Sequence, residues 1–193
     1  MRENVQRDYA RSVRALRDTV FPVLIEHCPE FQGMQVEVLA NHQDRLTHDL
    51  DTIAGIDAYL RSPLALRPIA ARVQYVSPFR TFTIRVARSQ PHVLTELQKR
   101  LSQLAEREAG TLSPYWTIHA YLFPNETHLA CVGVAKTSEL YFWIAQQYAN
   151  RDLAHPKEPF KVRQSNEQEH FLIVPWDQYR ASGHYFFEYP AHV

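Results

Sequence analysis

The chain has 193 residues, of which 45% are hydrophobic and 22% charged, a balance typical of a soluble globular domain. Its 21 Lys and Arg residues equal its 21 Asp and Glu residues, so the formal charge is zero and gives no global basic surface for nucleic acid. These values exclude wholesale disorder, and they predict one domain over residues 1–193.

Short motifs and cysteines exclude several classes of protein. Cys28 and Cys131 are far apart and form no CxxC pair, which excludes a zinc finger or a disulfide framework. The glycine-rich loops of dinucleotide and P-loop proteins are absent, as is GxSxG. The start of the chain lacks an apolar signal region, and no window provides the roughly 18 uninterrupted apolar residues of a membrane helix. We therefore expect a cytoplasmic protein with reduced thiols that does not enter a membrane.

The first predicted element is a helix with an apolar stripe. Its apolar residues recur at spacings of three and four: Val5, Tyr9, Val13, Leu16, Val20 and Leu24. Pro22 is expected to kink this helix or to end it early, because proline lacks the amide donor of a helix interior. The arginines on the other side are expected to form a solvated face.

Alternating apolar and polar residues then predict a series of strands. In chain order they are residues 34–39, 53–60, 69–76, 81–87, 115–123, 128–135, 171–174 and an aromatic edge strand at 185–189. Residues 41–50 and 151–169 are polar and are predicted to be loops. The element order predicts an α/β or α+β fold with one mixed central sheet flanked by helices.

Two further helices are predicted between these strands. One has Pro91 in its first turn, Ser89 or Gln90 as its cap, and Gly110 as its stop. The other begins at Thr137 or Ser138 and runs to about residue 150.

The most informative residues are an aspartate and an arginine on neighbouring predicted strands. Asp57 lies among the apolar residues of segment 55–59, where burial of an unpaired charge costs several kcal/mol. On the next strand, alternation places Ala70, Arg72 and Gln74 on one face. This arrangement predicts a polar site at the sheet. A buried Asp57–Arg72 ion pair that holds the two strands together is the structural alternative.

The order of these elements and residues resembles the PD-(D/E)XK nuclease superfamily. A helix precedes a strand with Gly-Ile-Asp, a strand with a basic residue, a Thr-Phe-Thr-Ile-Arg strand, and a further helix and strand, over roughly residues 5–145. The resemblance implies a restriction-endonuclease-like core in which Asp57 binds a metal ion and Arg72 occupies the basic position.

One position departs from the superfamily pattern. The middle acid of the motif falls at Ala70, which cannot bind a metal. Either Gln74 substitutes on the same strand face, or Asp51 supplies the missing oxygen, or the site has decayed. The resemblance also implies an upstream acid, for which the candidates are Glu26, Glu30 and Glu37.

The expected function is phosphodiester hydrolysis on DNA with Mg²⁺ or Mn²⁺. The catalytic candidates are Asp57, Arg72 and Gln74, and the metal-ligand candidates are Asp57, Asp51 and Glu37. Arg72, Arg80 and Arg85 are the candidate nucleic-acid contacts. Arginine cannot readily act as a base because its pKa stays above about 12, so Arg72 is expected to stabilise charge. The alternative is a non-catalytic module on the same fold that binds nucleic acid or protein.

Two other residue groups favour ordinary structural roles. His42 and His48, with interleaved aspartates, are expected to lie in a solvated loop rather than to bind a transition metal. The aromatic clusters at residues 141–148 and 185–189 are expected to form core or a homodimer contact rather than to stack nucleic-acid bases.

Overall fold

The computed structural model of the chain describes most of its residues. The described ranges are 10–39, 54–75, 79–87, 93–106, 111–124, 128–149, 160–166 and 169–190. In these ranges the strands are β1 (Gln35–Val38), β2 (Ala58–Ser62), β3 (Ala65–Gln74), β4 (Thr81–Ala87), β5 (Trp116–Leu122), β6 (Leu129–Lys136), β7 (Lys161–Asn166), β8 (Glu169–Pro175) and β9 (Phe186–Tyr189). The helices are α1 (Phe21–His27), α2 (Glu96–Ala105), α3 (Thr137–Ala149) and α4 (Trp176–Ala181). The predicted mixed α/β fold class is confirmed.

The chain forms two compact units. Unit 1 comprises Met1–Arg80, Pro114–Val134 and Phe187–Val193. Unit 2 comprises Thr81–Ser113 and Ala135–Phe186. The assignment of residues 1–193 to a single domain stays a prediction.

The larger sheet has six strands in the order β1-β2-β3-β5-β6-β9. β1, β2 and β3 pair antiparallel in sequence, whereas β5 lies parallel to β3. Every residue of β5 is buried, as expected for a parallel strand covered on both faces. The interior position of β5 explains why its sequence reads as an apolar run.

The smaller sheet has three antiparallel strands in the order β4-β8-β7. Its core in unit 2 is aromatic, because the ring of Phe82 lies 5.8–6.0 Å from those of Trp176, Tyr179 and Phe186. The prediction of one central sheet is therefore wrong, since β4 and β8 pair with each other in a sheet of their own.

The polar segment 151–169 was wrongly predicted to be entirely loop, since it contains β7. Residues 161–164 of β7 are all exposed, so the strand lacks the alternation that marks a half-buried strand. β7 lies at the edge of its sheet and pairs only with β8 among the described strands. Polar residues are common on such edges because they discourage pairing with other chains.

The first helix changes its hydrogen-bond pattern before Pro22. Residues 10–15 are α-helical, Leu16–Val20 form a π-helical turn in which the Phe21 amide donates to the Leu16 carbonyl, and α1 then begins with Pro22 in its first turn. Proline fits there because the amides of a first helical turn need no partner within the helix. The part of the predicted helix that precedes residue 10 lies outside the described part of the chain.

The helices differ from the predictions in two respects: where α2 begins and the presence of α4. α2 begins at Glu96, and its cap is Thr95 rather than Ser89 or Gln90. The side chains of Thr95 and Gln98 each accept a hydrogen bond from the backbone amide of the other residue, which forms a capping box. The helix therefore begins at this capping box rather than at Pro91. α4, directly after β8, is a short helix that the periodicity did not reveal. None of the helices in the described ranges is long and apolar enough to cross a membrane.

A carboxylate anchors the start of α3 in unit 2. Glu139 Oε1 accepts a hydrogen bond from Lys136 Nζ at 2.9 Å, and Oε2 accepts one from the Tyr185 amide at 2.8 Å. Burial alone would raise the pKa of Glu139, but Lys136 and the Tyr185 amide lower that pKa below its usual value of 4.5. The ionised form of Glu139 therefore stabilises the fold.

We predict that Glu139→Gln lowers the free energy of unfolding at pH 7 by about 1–2 kcal/mol. Because the folded pKa is depressed, this stabilisation is fully present above the unfolded pKa and is lost as the pH falls through the folded pKa. Urea unfolding should show the difference from wild type at pH 7 and its progressive loss as the pH falls below the usual pKa of 4.5 and through the lower folded pKa. Glu106→Gln, at an exposed residue of the same unit, is the matched control. A difference that persists at acidic pH would contradict the prediction.

Candidate functional site

A cleft in unit 1 contains two of the predicted site residues. Its volume is about 170 Å³. The residues that line it are Ser12, Val13, Leu16, Val38, Leu39, Asp57, Ala71, Arg72 and Val73. They come from the first helix, the end of β1, the residue before β2, and β3. We call this feature the Asp57 cleft. Six of its nine lining residues are apolar, and its polar side chains come from Ser12, Asp57 and Arg72.

Asp57 is held by three hydrogen bonds to its neighbours. Its amide donates to the Ile69 carbonyl at 2.8 Å, and its carbonyl accepts from the Leu39 amide at 2.9 Å. The carboxylate oxygen Oδ2 accepts from the Ala71 amide at 2.7 Å. The side chain thus supplies β3 with an acceptor just where the main-chain ladder of β2 ends. Such charge-assisted bonds are shorter and stronger than neutral ones.

Arg72 lies in the middle of the larger sheet. It is half-buried on β3, and its partner across the parallel β3–β5 pair is His119, which is only 3% exposed. Gln74 pairs with Tyr121 two residues further along. Arg72 lines the Asp57 cleft, whereas Gln74 is not among the residues that do.

The other proposed acids lie elsewhere or outside the described residues. Glu37 is exposed on β1 opposite Tyr59, and burial together with the charge of Glu37 raises the pKa of Tyr59. Glu26 lies within α1 and Glu30 follows it, and neither residue lines the Asp57 cleft. Asp51 lies outside the described residues, as do His42 and His48. Within the described ranges, no three His, Cys, Asp or Glu residues cluster as a metal site.

Arg80 takes part in an ion pair in unit 1. Its guanidinium pairs with Glu188, whose side chain is only 4% exposed, and also donates to the Pro190 carbonyl at 3.3 Å. Burial raises the pKa of the nearby Cys131 thiol to about 11, although the positive charge of Arg80 opposes this rise. Cys131 is therefore a protonated core thiol, and Arg80 neutralises a buried acid.

Arg85 lies in unit 2, on β4. Its Nε is 3.8 Å from Glu169 Oε1, and its guanidinium lies 5.2 Å from the ring centre of Phe171. Its amide donates to Glu96 at 3.4 Å. Thus, of the three arginines proposed to contact nucleic acid, Arg72 is the one that lines the Asp57 cleft.

Sequence reasoning missed the contributions of Ser12, the Ala71 amide and Glu188. A main-chain donor leaves no mark in a sequence, and Ser12 gave no signal within the helical pattern. Glu188 could have been noticed, because it is the one acid in the aromatic segment 185–189. An acid among aromatic residues needs a cation if it is buried.

Comparison of the chain with protein-family models, with curated proteins and with solved structures finds no match.

We predict that Asp57→Ala destabilises the protein by about 2 kcal/mol, because the Ala71 amide loses its acceptor. Asp57→Asn should cost less than about 1 kcal/mol, since the side-chain carbonyl of asparagine can still accept that bond. Chemical denaturation of both variants measures the difference. Equal losses would show that the charge of Asp57, rather than its role as an acceptor, stabilises β3.

We also predict that Arg80→Met lowers stability by about 3–5 kcal/mol, because it leaves the buried Glu188 carboxylate without its cation. Adding Glu188→Gln to this variant should restore part of the loss, since the unpaired charge is removed. Thermal and urea unfolding of the single and double variants test this coupling. Arg80→Met with unchanged stability and weakened DNA binding would instead make Arg80 a DNA contact.

Proposed function

We propose that the Asp57 cleft binds a phosphodiester group of DNA and, with Mg²⁺ or Mn²⁺, hydrolyses it. One observation carries this proposal: Asp57 and Arg72, from neighbouring elements, line the same cleft. Hydrolysis of a phosphodiester needs a carboxylate that holds a divalent ion and a cation near the phosphate. These are the two charged groups that face the cleft.

The order of elements in unit 1 also supports the proposal. A helix precedes the antiparallel strands β1, β2 and β3, and β5 lies parallel to β3. The helix, the aspartate before β2 and the arginine on β3 are among the features on which the resemblance to PD-(D/E)XK nucleases rests. The Thr-Phe-Thr-Ile-Arg strand, which also belongs to that resemblance, is β4 and lies in the smaller sheet.

The donor set in the cleft fits a magnesium ion bound largely through water and substrate. Mg²⁺ usually keeps several waters and takes one or two carboxylates together with substrate phosphates. Asp57 would hold the ion through its carboxylate, whose Oδ2 also accepts the Ala71 amide. When bound, the ion supplies a water of lowered pKa and neutralises charge on the phosphate.

The protein's own residues would orient and stabilise the substrate. The planar guanidinium of Arg72 would bind a phosphate oxygen and stabilise the charge that develops during displacement. The Ala71 amide fixes the Asp57 carboxylate at the cleft wall, so its position needs no reorganisation when substrate binds. The apolar wall formed by Val13, Leu16 and Val73 would limit the water around the phosphate.

Binding without hydrolysis is a second candidate, and two observations favour it. Ala70 occupies the position at which the resemblance implies a second acid. In addition, Asp57 already has a structural role as the acceptor of a β3 amide. An aspartate in this position would be retained for folding even if the catalytic function had decayed.

We predict that the protein cleaves DNA in the presence of Mg²⁺ or Mn²⁺ and that Asp57→Asn lowers this activity by a factor on the order of 10² or more, because it removes the charged ligand. Supercoiled, linear and single-stranded DNA and RNA should be assayed over a titration of each metal. Asp177→Asn is the matched control, because Asp177 is an exposed aspartate that also accepts a backbone amide.

Arg72→Gln should lower cleavage on the order of 10²-fold, whereas Arg163→Gln, at an exposed strand position, should leave it unchanged. The logarithm of DNA affinity should fall linearly with the logarithm of salt concentration, because phosphate contacts release counterions. Binding without cleavage at any metal concentration would favour the second candidate. A chain that binds neither DNA nor RNA would contradict both.

A further inference from the structure

The turn between β2 and β3 exposes two leucines to solvent. Leu64 is 97% exposed and Leu66 is 58% exposed. Single exposed leucines are common on protein surfaces, but here two lie at the tip of one hairpin in unit 1. We call residues 62–66 the Leu64 tip.

Two local features restrict the conformation of the Leu64 tip. Pro63 fixes one backbone angle of the two-residue turn, and the Leu64 amide donates to Ser62 Oγ at 3.3 Å. The flanking residues Ser62 and Ala65 are register partners, so the strands remain paired up to the turn. A rigid tip of this kind loses little conformational entropy when its side chains become buried against a partner.

The hairpin that carries the Leu64 tip is positively charged. Residues 58–68 include Arg61 and Arg67 and no acidic residue, and the acid on the neighbouring strand, Glu37, pairs with Tyr59 further from the tip. Arg61 is exposed and is the register partner of Leu66, so the two side chains lie on the same face. Arg67 lies with its guanidinium 4.9 Å from the ring centre of Tyr115. A polyanion is the partner that this charge complements.

We infer that the Leu64 tip is a wedge that inserts between base pairs of duplex DNA while Arg61 binds the adjacent phosphate. Apolar side chains such as leucine and proline unstack base steps in this way and bend the duplex. The inference rests on the proposed function, and it makes duplex DNA, distorted at one step, the substrate of the Asp57 cleft.

The hairpin itself sets the distance between the wedge and the cleft. Asp57 immediately precedes β2, and Pro63 begins the turn at its other end. Six residues of extended strand span roughly 20 Å, so the Leu64 tip and Asp57 lie at opposite ends of the hairpin.

The test compares wild type with a Leu64→Ser, Leu66→Ser double variant. Both side chains are exposed, so the variant should fold as wild type does, which circular dichroism and thermal unfolding verify. Leu112→Ser, at a leucine that is 54% exposed in unit 2, is the matched control. The probes are a short duplex with 2-aminopurine placed at successive steps, and the single strand of the same sequence.

We expect wild type and the control to increase 2-aminopurine fluorescence at one step of the duplex, because the base there is unstacked. The double variant should lose this increase and bind the duplex on the order of 10-fold more weakly. Its affinity for the single strand, and any Asp57-dependent cleavage of that strand, should be unchanged. These results would support the wedge separately from the chemistry of the cleft.

Several results would overturn the inference. If wild type and the double variant bind the duplex equally well, the wedge is wrong while the proposed function stands. If wild type binds no DNA, both are wrong. Leucine-dependent binding to vesicles of anionic phospholipid without DNA binding would make the tip a membrane contact. Leucine-dependent dimerisation in sedimentation would make it a contact between two copies of the chain.

Discussion

The geometry of the larger sheet in unit 1 depends on one hydrogen bond, from the Ala71 amide to the Asp57 carboxylate. Asp57 immediately precedes β2, and its side chain accepts the Ala71 amide in the place of a main-chain carbonyl. The bond adds to the register pairs between β2 and β3 at the end where β2 begins. A shift of one residue in this register would turn Arg72 to the opposite face of the sheet. The position of the Arg72 guanidinium at the cleft thus depends on the hydrogen bond made by the neighbouring residue, Ala71.

A residue with a role in folding can also take part in chemistry, but the two roles constrain each other. The Ala71 amide donates to the Asp57 carboxylate, which is the same group that we propose as a metal ligand. The same bond uses one lone pair of Oδ2 and restricts the rotation of the side chain. The carboxylate of Asp57 therefore has a defined position but cannot easily move. Such a carboxylate suits a site that orients its ligand more than it binds that ligand tightly.

Local patterns predicted most elements, and pairings between distant segments were the main source of error. β1 and β5 follow from alternation and from an apolar run, whereas β7 carries neither signal, because the side chains of its residues 161–164 are all exposed. The second sheet depends on β4 pairing with β8, and no local pattern reveals a contact between segments so far apart. The proximity of Asp57 and Arg72 to one cleft could be predicted because the two strands form a hairpin. The pairing of Arg80 with Glu188 could not be predicted, because the chain has 21 acidic residues and charge alone does not identify which of them pairs with Arg80.

The position of β9 beside β6 has a consequence for synthesis of the protein on the ribosome. β6 ends at Lys136, and its neighbour in the sheet begins at Phe186. At about 5–20 residues per second, translation of the intervening segment takes roughly 3–10 s. During this interval the nascent β6 has a strand edge with unpaired amides and carbonyls and with a largely apolar sequence. Such an edge readily pairs with strands of other chains, so this is the stage at which a chaperone would protect the newly made protein.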